Sequence, residues 1–384
     1  MSALLEGNRI TLLCSGGEYF PALEQAIDEA RAEVYLETYI YVEDASARRI
    51  TDALCRAAGR GVAVHVVVDG FGGKDMPQVL REELHGAGVR LLFFRPDISL
   101  RWRKHRLRRM HRKLVAIDGR VGFLGGINLI DDMHTPGHVP PRYDYAVRFE
   151  GPVLEPAQAA VERLWTLVAW ANLKRRWQVE RKADVDASPK GYQRAQLVLR
   201  DNLRHRADIE EAYLGAIGSA REEIILANAY FFPGTRFRRA LAAAAQRGVR
   251  VILLLQGRVE YVLLHYASRA LYGSLLESGV EIFEYQKSFM HAKVAVVDGH
   301  WATVGSSNID PFSLMLAREA NLVIEDPGFA GELRASLQQA IEEGAQYLPK
   351  RRWFQRSLWE RVPVWIGYGL VRLMMGLVGY GGRH

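Results

Sequence analysis

The sequence contains few of the features that mark a secreted or disulfide-stabilised protein. Only two cysteines, Cys14 and Cys55, occur among 384 residues, which excludes a disulfide framework and a cysteine-based metal cluster and favours a reducing compartment. The first residues lack a basic stretch followed by a long apolar one, so we expect neither a signal peptide nor an N-terminal membrane span. What remains is the composition of an ordinary globular protein of about two or three domains, with 49% hydrophobic and 25% charged residues.

The charge balance favours an anionic partner. The formal net charge is +7 at pH 7, and the isoelectric point is near 9.3. A basic protein is attracted to lipid head groups and to nucleic acid alike. Charge therefore predicts an anionic partner without choosing between these two classes.

One stretch of the chain, residues 110–128, is repeated by residues 290–308 with no change of spacing. The shared positions are each 180 residues apart: His111 and His291, Lys113 and Lys293, Asp118 and Asp298, Gly125 and Gly305, and Asn128 and Asn308. The apolar runs between them also match, L-V-A-I against V-A-V-V. Such agreement predicts one site that is built from two halves.

The order of residues within each copy has a chemical meaning. Histidine and lysine two positions apart in an apolar, β-branched run lie on one face of a strand, so imidazole and ammonium point into the same space. The Asp-Gly pair that follows is a strong hairpin signal, which gives Asp118 and Asp298 an alternative role as turn formers. The glycine before each asparagine lets backbone approach a ligand, and an asparagine amide can donate to an oxyanion.

The pattern H-x-K-x4-D-x6-G-[GS]-x-N, present twice in this chain, resembles the phospholipase D superfamily. The resemblance implies that the histidine, lysine and aspartate of both copies are catalytic and that the two asparagines bind phosphate. The catalytic set is then His111, Lys113, Asp118, His291, Lys293 and Asp298, and the phosphate-binding pair is Asn128 and Asn308.

Two His/Lys pairs that converge on one anion suggest phosphoryl transfer through a covalent intermediate. One imidazole attacks phosphorus, while the other protonates the leaving alcohol and then removes a proton from the acceptor. The lysines and asparagines would neutralise the phosphate oxygens, so we expect neither a metal nor another cofactor.

We assign His111 as the nucleophile and His291 as the general acid and base, and the reverse order stays open. The assignment follows the habit of the superfamily and a densely basic stretch, residues 101–113, that leads to His111. That stretch is either a funnel for anionic phosphate groups at the mouth of the site or a solvated loop.

A nucleophilic imidazole also needs an acceptor for its second nitrogen. In phospholipase D-like enzymes an acid follows each motif, and the matching residues here are Asp144 in R-Y-D-Y-A-V and Glu319 in R-E-A-N-L-V. The alternative for both is an acid at a strand end that faces water. We predict that these two residues orient the histidines.

Strands alternate with helices in both halves, which is typical of an α/β protein with strands covered on both faces. The resemblance implies two duplicated phospholipase D-like lobes, each a mixed sheet covered by helices, related by a pseudo-two-fold axis around one shared active site. We place the N-terminal lobe at residues 1–177, a polar linker at 178–191 and the C-terminal lobe at 192–348. A basic, aromatic and apolar tail at 349–384 completes the chain.

The tail is apolar, aromatic and glycine-rich from Val362 to Tyr380. A spanning helix needs about 20 mainly apolar residues, and Pro363, Arg372 and the glycines count against a simple span. We expect an interfacial or re-entrant segment that holds a peripheral or monotopic protein at the cytoplasmic face of the bacterial cell membrane. The alternative is a helix that packs on the protein's own core.

Within the superfamily, the segments N-A-Y-F-F-P-G, R-G-V-R-V and H-W-A-T-V-G-S-S-N-I-D-P-F-S-L resemble bacterial cardiolipin synthases, especially the short type B. The resemblance implies transfer of a phosphatidyl group from one phosphatidylglycerol to another, with release of glycerol. The partners would be phosphatidylglycerol, other anionic phospholipids and the membrane surface; no nucleic acid is expected, and the sequence does not set the oligomeric state. A phospholipase D-type lipid hydrolase and a phospholipase D-like nuclease are the alternatives.

Overall fold

The computed structural model describes residues 3–95, 108–135, 137–174, 177, 183–201, 205–258, 262–310, 317–355 and 358–378. The first half of the chain contains the strands β1 (Leu5–Cys14), β2 (Glu33–Thr38), β3 (Ala63–Asp69), β4 (Arg90–Phe94), β5 (Arg109–Met110), β6 (Lys113–Ile117), β7 (Val121–Gly125), β8 (Arg142–Tyr143) and β9 (Tyr145–Glu150). Its helices are α1 (Ser15–Asp28), α2 (Ala45–Gly59), α3 (Gln78–Gly86) and α4 (Leu154–Ala171). Residues 96–107, which include most of the basic stretch before His111, lie outside the described part of the chain.

The second half repeats this order of elements. Its strands are β10 (Gln193–Arg200), β11 (Glu223–Asn228), β12 (Arg250–Gln256), β13 (Glu281–Tyr285), β14 (Phe289–Met290), β15 (Lys293–Val297), β16 (Trp301–Gly305), β17 (Ala317–Glu325) and β18 (Ala345–Tyr347). Its helices are α5 (Asp208–Ser219), α6 (Thr235–Gln246), α7 (Val262–Glu277), α8 (Pro327–Gly344), α9 (Lys350–Phe354) and α10 (Leu358–Val378).

The strands of both halves join in one mixed sheet. Its order is β18-β13-β12-β11-β15-β16-β17-β10-β1-β9-β7-β6-β2-β3-β4, with β10 and β1 antiparallel at the centre. From this central pair outward, each half runs through equivalent strands in the same order. The predicted α/β fold with two duplicated lobes is therefore confirmed, and the pseudo-two-fold axis passes between β1 and β10.

The hydrophobic core explains why the lobes dock as one body. Helices α4 and α8 bury Trp165 and Leu333 in a single apolar cluster that contains strand residues of both lobes, such as Leu124 and Val294. On the other face of the sheet each lobe has its own core, under α1 to α3 in the N-terminal lobe and under α5 to α7 in the C-terminal lobe. The strands are covered by helices on both faces of the sheet, which explains why the sequence shows them as nearly continuous apolar runs.

Two short strand pairs connect the lobes next to the repeated motifs. The strand β5, just before His111, pairs in parallel with β17 of the other lobe. Equally, β14, just before His291, pairs in parallel with β8. Each motif therefore begins on a strand that the opposite lobe holds.

The described end of the expected linker is bound to the N-terminal lobe. Asp186 donates its backbone N–H to the carbonyl of Gly119 at 2.8 Å, and Lys190 donates its own to the carbonyl of Gly7 at 2.8 Å. The first residues of this segment, 178–182, lie outside the described residues. The proposed boundaries of the lobes stay a prediction.

The apolar tail forms α10, which has two different faces. One face buries Val364 and Val371, and Val371 packs in a cluster with Phe232 and with Ala267 and Leu271 of α7. The other face exposes five large hydrophobic residues: Val362, Trp365, Ile366, Leu370 and Leu373. Among the described residues, no helix combines the length and the apolar character that a membrane crossing requires.

Candidate active site

The two lysines of the motifs open equivalent strands, so both lie at the same edge of the sheet. Lys113 begins β6 and Lys293 begins β15. The histidine two residues earlier is held by the opposite lobe, because His111 donates its backbone N–H to the carbonyl of Arg318 at 3.0 Å and His291 donates to that of Tyr143 at 2.7 Å. The shared sheet edge and the backbone hydrogen bonds between the lobes together bring the two histidines and two lysines to the boundary between the lobes.

The imidazole of His111 lies against the carboxylate of Glu319. Its Nδ1 lies 3.0 Å from Oε1 and 3.2 Å from Oε2 of that carboxylate. Burial raises the pKa of Glu319, but the neighbouring His111 and Lys113 outweigh this effect and hold the pKa below its usual range. An ionised carboxylate only accepts hydrogen bonds, so Nδ1 carries the proton and Nε2 keeps its lone pair.

His291 has the same relation to Asp144. Its Nδ1 lies 2.7 Å from Oδ2 of Asp144, and only 11% of the histidine side chain is exposed. Burial, reinforced by the charge of Lys293, lowers the pKa of His291 to about 3 although Asp144 opposes the change. The pKa of His111 is also lowered by burial, against the influence of Glu319. Both imidazoles are therefore neutral at neutral pH in the free protein.

Each acid contacts the histidine of the other lobe. Glu319 lies on β17 of the C-terminal lobe and reaches His111, whereas Asp144 follows β8 of the N-terminal lobe and reaches His291. Neither histidine is held by its orienting acid without the opposite lobe. The prediction of one shared active site agrees with this crossed arrangement.

The lysines are buried against the backbone of their own motifs. Lys113 Nζ donates to the carbonyl of His111 at 2.6 Å and lies 5.4 Å from the centre of the Tyr39 ring. Burial lowers the pKa of Lys113 to about 7; Glu319 opposes the shift and Lys293 of the other lobe reinforces it. Lys293 Nζ donates to the carbonyl of His291 and lies 2.8 Å from its Nδ1. The two ammonium groups are thus close enough to affect each other's titration.

The asparagines of the two motifs are buried but differ in their contacts. Asn128 Oδ1 accepts the backbone N–H of Ile40 at 3.1 Å. Within the described residues, Oδ1 of Asn308 accepts no hydrogen bond although the side chain is buried. The phosphate-binding role of both residues stays a prediction.

The two aspartates of the motifs lie away from the histidines, at the hairpin turns. Asp118 and Asp298 have φ values of 52° and 49°, and each is five strand residues beyond its lysine, about 16 Å at the rise of a β-strand. The carboxylate of Asp118 accepts the backbone N–H groups of residues 31–33 at 2.7–2.8 Å. Asp298 does the same for residues 221–223. The structure therefore supports their alternative role as turn formers and does not bring them to the reacting groups; a catalytic role for them stays a prediction.

Several side chains at the site were not found from the sequence. The ring of Tyr39 meets His111 edge to face at 4.9 Å between centroids, and Tyr230 meets His291 at 6.4 Å. The hydroxyl of Ser306 donates to Glu319 Oε2. Tyr39 and Tyr230 both follow the strands that flank the motif strands, but the sequence contains no signal for the ring contacts. Ser306 occupies the [GS] position of the motif pattern, where the first copy has Gly126. This difference between the copies was visible in the sequence and could have identified Ser306.

Among the described residues, no group of three or more histidine, cysteine or acidic side chains is placed to hold a metal ion. Lys113 and Lys293 place their ammonium groups beside the histidines.

Comparison with known proteins agrees with this geometry. The family described as "Cardiolipin synthase, PLD-like domain" matches residues 23–135 and 213–341. Cardiolipin synthase B of Escherichia coli strain K12 is 42% identical over 99% of this chain and 91% of its own length. Cardiolipin synthase A of Erwinia tasmaniensis is 28% identical over 93% of this chain and 74% of its own length.

A solved structure shares the fold. The crystal structure of phosphatidylserine synthase from Haemophilus influenzae matches with a TM-score of 0.72 at 13% sequence identity, covering 97% of this chain and 95% of that chain. Such a likeness establishes the two-lobed architecture, while the family match and the sequence relatives establish the kinship. The chain therefore belongs to the cardiolipin synthase family of proteins with phospholipase D-like domains.

Proposed function

We propose that this protein is a phosphatidyltransferase that makes cardiolipin from two molecules of phosphatidylglycerol and releases glycerol. The observation that carries the proposal is the pair of crossed histidine–carboxylate contacts, His111 with Glu319 and His291 with Asp144, beside two buried lysines. Relatives named cardiolipin synthase, which match nearly the whole chain, support this substrate class.

In the first step, Nε2 of His111 attacks the phosphorus of the donor lipid, and the bond from phosphorus to the glycerol oxygen breaks. His291 gives its proton to the leaving glycerol. His291 must be protonated at this point although its pKa is about 3 in the free protein. A bound phosphodiester anion raises that pKa, because an opposite charge favours the charged imidazole.

In the second step, His291 removes the proton from a hydroxyl of the second phosphatidylglycerol. That oxygen attacks phosphorus, the bond to His111 breaks, and both histidines return to their starting states. Lys113 and Lys293 stabilise the charge on the phosphate oxygens throughout, so we propose that turnover needs no divalent cation. Activity that is lost in excess chelator and restored by magnesium or zinc would contradict this part.

The acceptor must compete with water at a far higher concentration. A phosphodiester is exchanged for a phosphodiester, so the reaction should run in both directions under mass action. A positioned lipid hydroxyl gains from proximity and orientation, which simple exposure of the intermediate to solvent would not provide. The enzyme should therefore work where lipid head groups are concentrated.

The experiment is incubation of the purified protein with phosphatidylglycerol vesicles, with lipid products and free glycerol measured by mass spectrometry. We expect cardiolipin and glycerol in equal amounts, and less net cardiolipin when glycerol is added. Phosphatidic acid as the only product, insensitive to glycerol, would make the protein a lipid hydrolase. Cleavage of DNA without any lipid turnover would make it a nuclease. The His111→Asn and His291→Asn proteins serve as background controls.

We also propose that α10 attaches the protein to the cytoplasmic face of the membrane as a peripheral protein. Its exposed stripe contains Trp365, Ile366 and Leu370, which are 67%, 57% and 46% exposed. Such side chains enter the boundary between head groups and acyl chains. The helix is also close to the site, since Tyr368 contacts Phe232 at 6.0 Å and Tyr230, two residues earlier, contacts His291.

This attachment is tested by sedimentation with phosphatidylglycerol vesicles. The triple variant Trp365→Ser/Ile366→Ser/Leu370→Ser should remain folded and lose most of its binding. A matched control replaces three exposed residues elsewhere, Leu167→Ser/Trp170→Ser/Leu173→Ser, which are 44%, 62% and 83% exposed. Equal loss of binding in both triple variants would count against a specific role for α10.

A further inference from the structure

A buried ion pair lies directly behind the first motif. Arg112, between His111 and Lys113, donates from Nε to Glu37 Oε2 at 2.5 Å and from Nη2 to Oε1 at 2.6 Å. Only 5% of Arg112 and 2% of Glu37 is exposed. Arg112 also donates to the carbonyl of Ala160 on α4 at 3.2 Å. The contacts of Arg112 with Glu37 and Ala160 thus hold the segment of His111 and Lys113 from the face opposite the active site.

A second arginine connects this ion pair to the other lobe. Arg318 immediately precedes Glu319, and its carbonyl accepts the backbone N–H of His111. Burial lowers the pKa of Arg318, and the charge of Arg112 lowers it further. The carboxylate of Glu37 opposes both effects and raises this pKa. Glu37 therefore binds one buried guanidinium group, that of Arg112 next to His111 in sequence. It also feels the charge of a second, half-buried one, that of Arg318 next to Glu319.

At the equivalent positions the C-terminal lobe has no such pair. Glu37 faces Leu114 across the strands and Ala227 faces Val294 in the same way, so Glu37 and Ala227 hold equivalent positions. The equivalent of Arg112 in the repeat is Ala292, and both alanines are fully buried. The fold therefore packs equally well with small apolar side chains at these two positions.

A buried ion pair is poor support for stability, because desolvation of two charges offsets most of their attraction. The N-terminal lobe nevertheless has one at the point where its histidine meets an acid from the opposite lobe. We propose that Glu37 is a positioning residue that, through its ion pair with Arg112, fixes the backbone of His111 against that of Arg318 and so holds His111 and Glu319 at hydrogen-bond distance across the boundary between the lobes. The link to catalysis rests on the proposed function, whereas the positioning itself does not.

The test compares two double variants of matched chemistry. Glu37→Met/Arg112→Met removes the Arg112–Glu37 ion pair with little change in the volume of the two side chains. The control, Arg269→Met/Glu284→Met, removes an ion pair of 2.5 Å in the C-terminal lobe whose side chains are 17% and 8% exposed. Both proteins are examined for unfolding in urea, for kcat and KM with phosphatidylglycerol, and for the pH dependence of kcat/KM.

We expect the Glu37/Arg112 variant to fold and to lose about 10- to 100-fold in kcat, since misplacement of a reacting group by about 1 Å has effects of this size. KM should change by less than about twofold. The acid limb of kcat/KM should move to lower pH, because Glu319 no longer raises the pKa of His111. The control variant should keep the kcat and the pH profile of the unaltered enzyme.

A measurement without turnover separates positioning from the proposed function. The Nδ1 proton of His111, assigned by its loss in His111→Gln protein, should give a downfield NMR signal that weakens or shifts in the Glu37/Arg112 variant and in Glu37→Gln. If the unaltered protein did not use phosphatidylglycerol, the proposed function would fail while this signal still decided the positioning role. A folded double variant with unchanged kcat, pH profile and signal would overturn the inference. Failure of both the Glu37/Arg112 variant and the Glu37→Gln variant to fold would also overturn the inference, because the ion pair would then be a stabilising element.

Discussion

The two lobes have the same topology but surround their histidines differently. Behind His111 lies the Arg112–Glu37 ion pair, whereas the corresponding positions behind His291 are Ala292 and Ala227. The shared topology follows from the repeated pattern of apolar strands, which tolerates either solution. The difference shows that duplication preserved the frame of the site while the side chains around each histidine diverged.

A second difference concerns the acids. At Gly126 an added Cβ would lie 2.3 Å from Oδ1 of Asp144, so glycine is required for this carboxylate to pack there. The equivalent position in the repeat is Ser306, whose hydroxyl donates to Glu319. At this position, one acid is thus accommodated by the absence of a side chain, and the other accepts a hydrogen bond from a serine hydroxyl. Such an asymmetry suits a site in which one histidine attacks and the other transfers protons.

The largest effects should come from the histidines, and they decide which lobe supplies the nucleophile. Either His111→Asn or His291→Asn should lower kcat at least about 10³-fold. After rapid denaturation during turnover, the His291→Asn protein should carry a phosphatidyl group on His111, and the His111→Asn protein should carry none. Label on His291 in the absence of His111 would reverse the two roles.

The crossed acids should have the next largest effect. Glu319→Gln should lower kcat about 10²- to 10⁴-fold, as loss of an orienting carboxylate does in related catalytic arrangements. NMR titration should then show a changed pKa for His111 and an unchanged one for His291. Asp144→Asn should produce the opposite pattern. If each substitution affected the histidine of its own lobe, the crossed assignment would be wrong.

The burial of Lys113 predicts a pH dependence of turnover. Its pKa is about 7 because burial disfavours the ammonium, so the charge is present below this pH and is lost as the pH rises through it. The value of kcat/KM, which reports the free enzyme, should therefore fall above about pH 7. Lys113→Arg should move this limb to higher pH, and Lys293→Arg should leave it in place. A limb that follows Lys293 instead would assign the titration to the other lobe.

The smallest effects on catalysis should come from the aspartates of the motifs. Asp118→Asn should lower the free energy of unfolding by about 1–3 kcal/mol, because the amide nitrogen that replaces one carboxylate oxygen cannot accept a hydrogen bond from the backbone N–H groups of residues 31–33. Asp298→Asn should cost less, since Asp298 is only half-buried. Urea unfolding and kcat per folded molecule measure both. A loss of kcat without loss of stability would support the catalytic role predicted for the aspartates.

Asp298 should also contribute to acid sensitivity. Burial raises its pKa, but three backbone N–H groups outweigh burial and hold the pKa below its usual range. A lowered pKa in the folded state stabilises the protein above the usual aspartate pKa, and this contribution is lost as the pH falls through the folded value. The Asp298→Asn protein should therefore lose less stability on acidification than the unaltered protein.

Much of the fold was predictable because its signals are local. The alternation of apolar strands and helices, the Asp-Gly turns and the 180-residue repeat are readable from neighbouring residues and their spacing. The two faces of α10 were harder to foresee, since the sequence left open whether the tail meets a membrane or the protein. The structure shows one face packed on α7 and the other exposed, because an apolar helix with hydrophobic residues on both sides can serve two surroundings.

The sequence by itself determined the duplicated α/β frame and the histidine, lysine and asparagine side chains that the frame carries. Only the tertiary structure decided which acid meets which histidine, because these partners are 208 residues apart for His111 and 147 for His291. It also decided that Arg112 is bound by Glu37, 75 residues away along the chain. Spacing within a strand specifies the face on which a side chain lies, but contacts between lobes depend on how two separately formed surfaces dock, and no local pattern encodes that geometry.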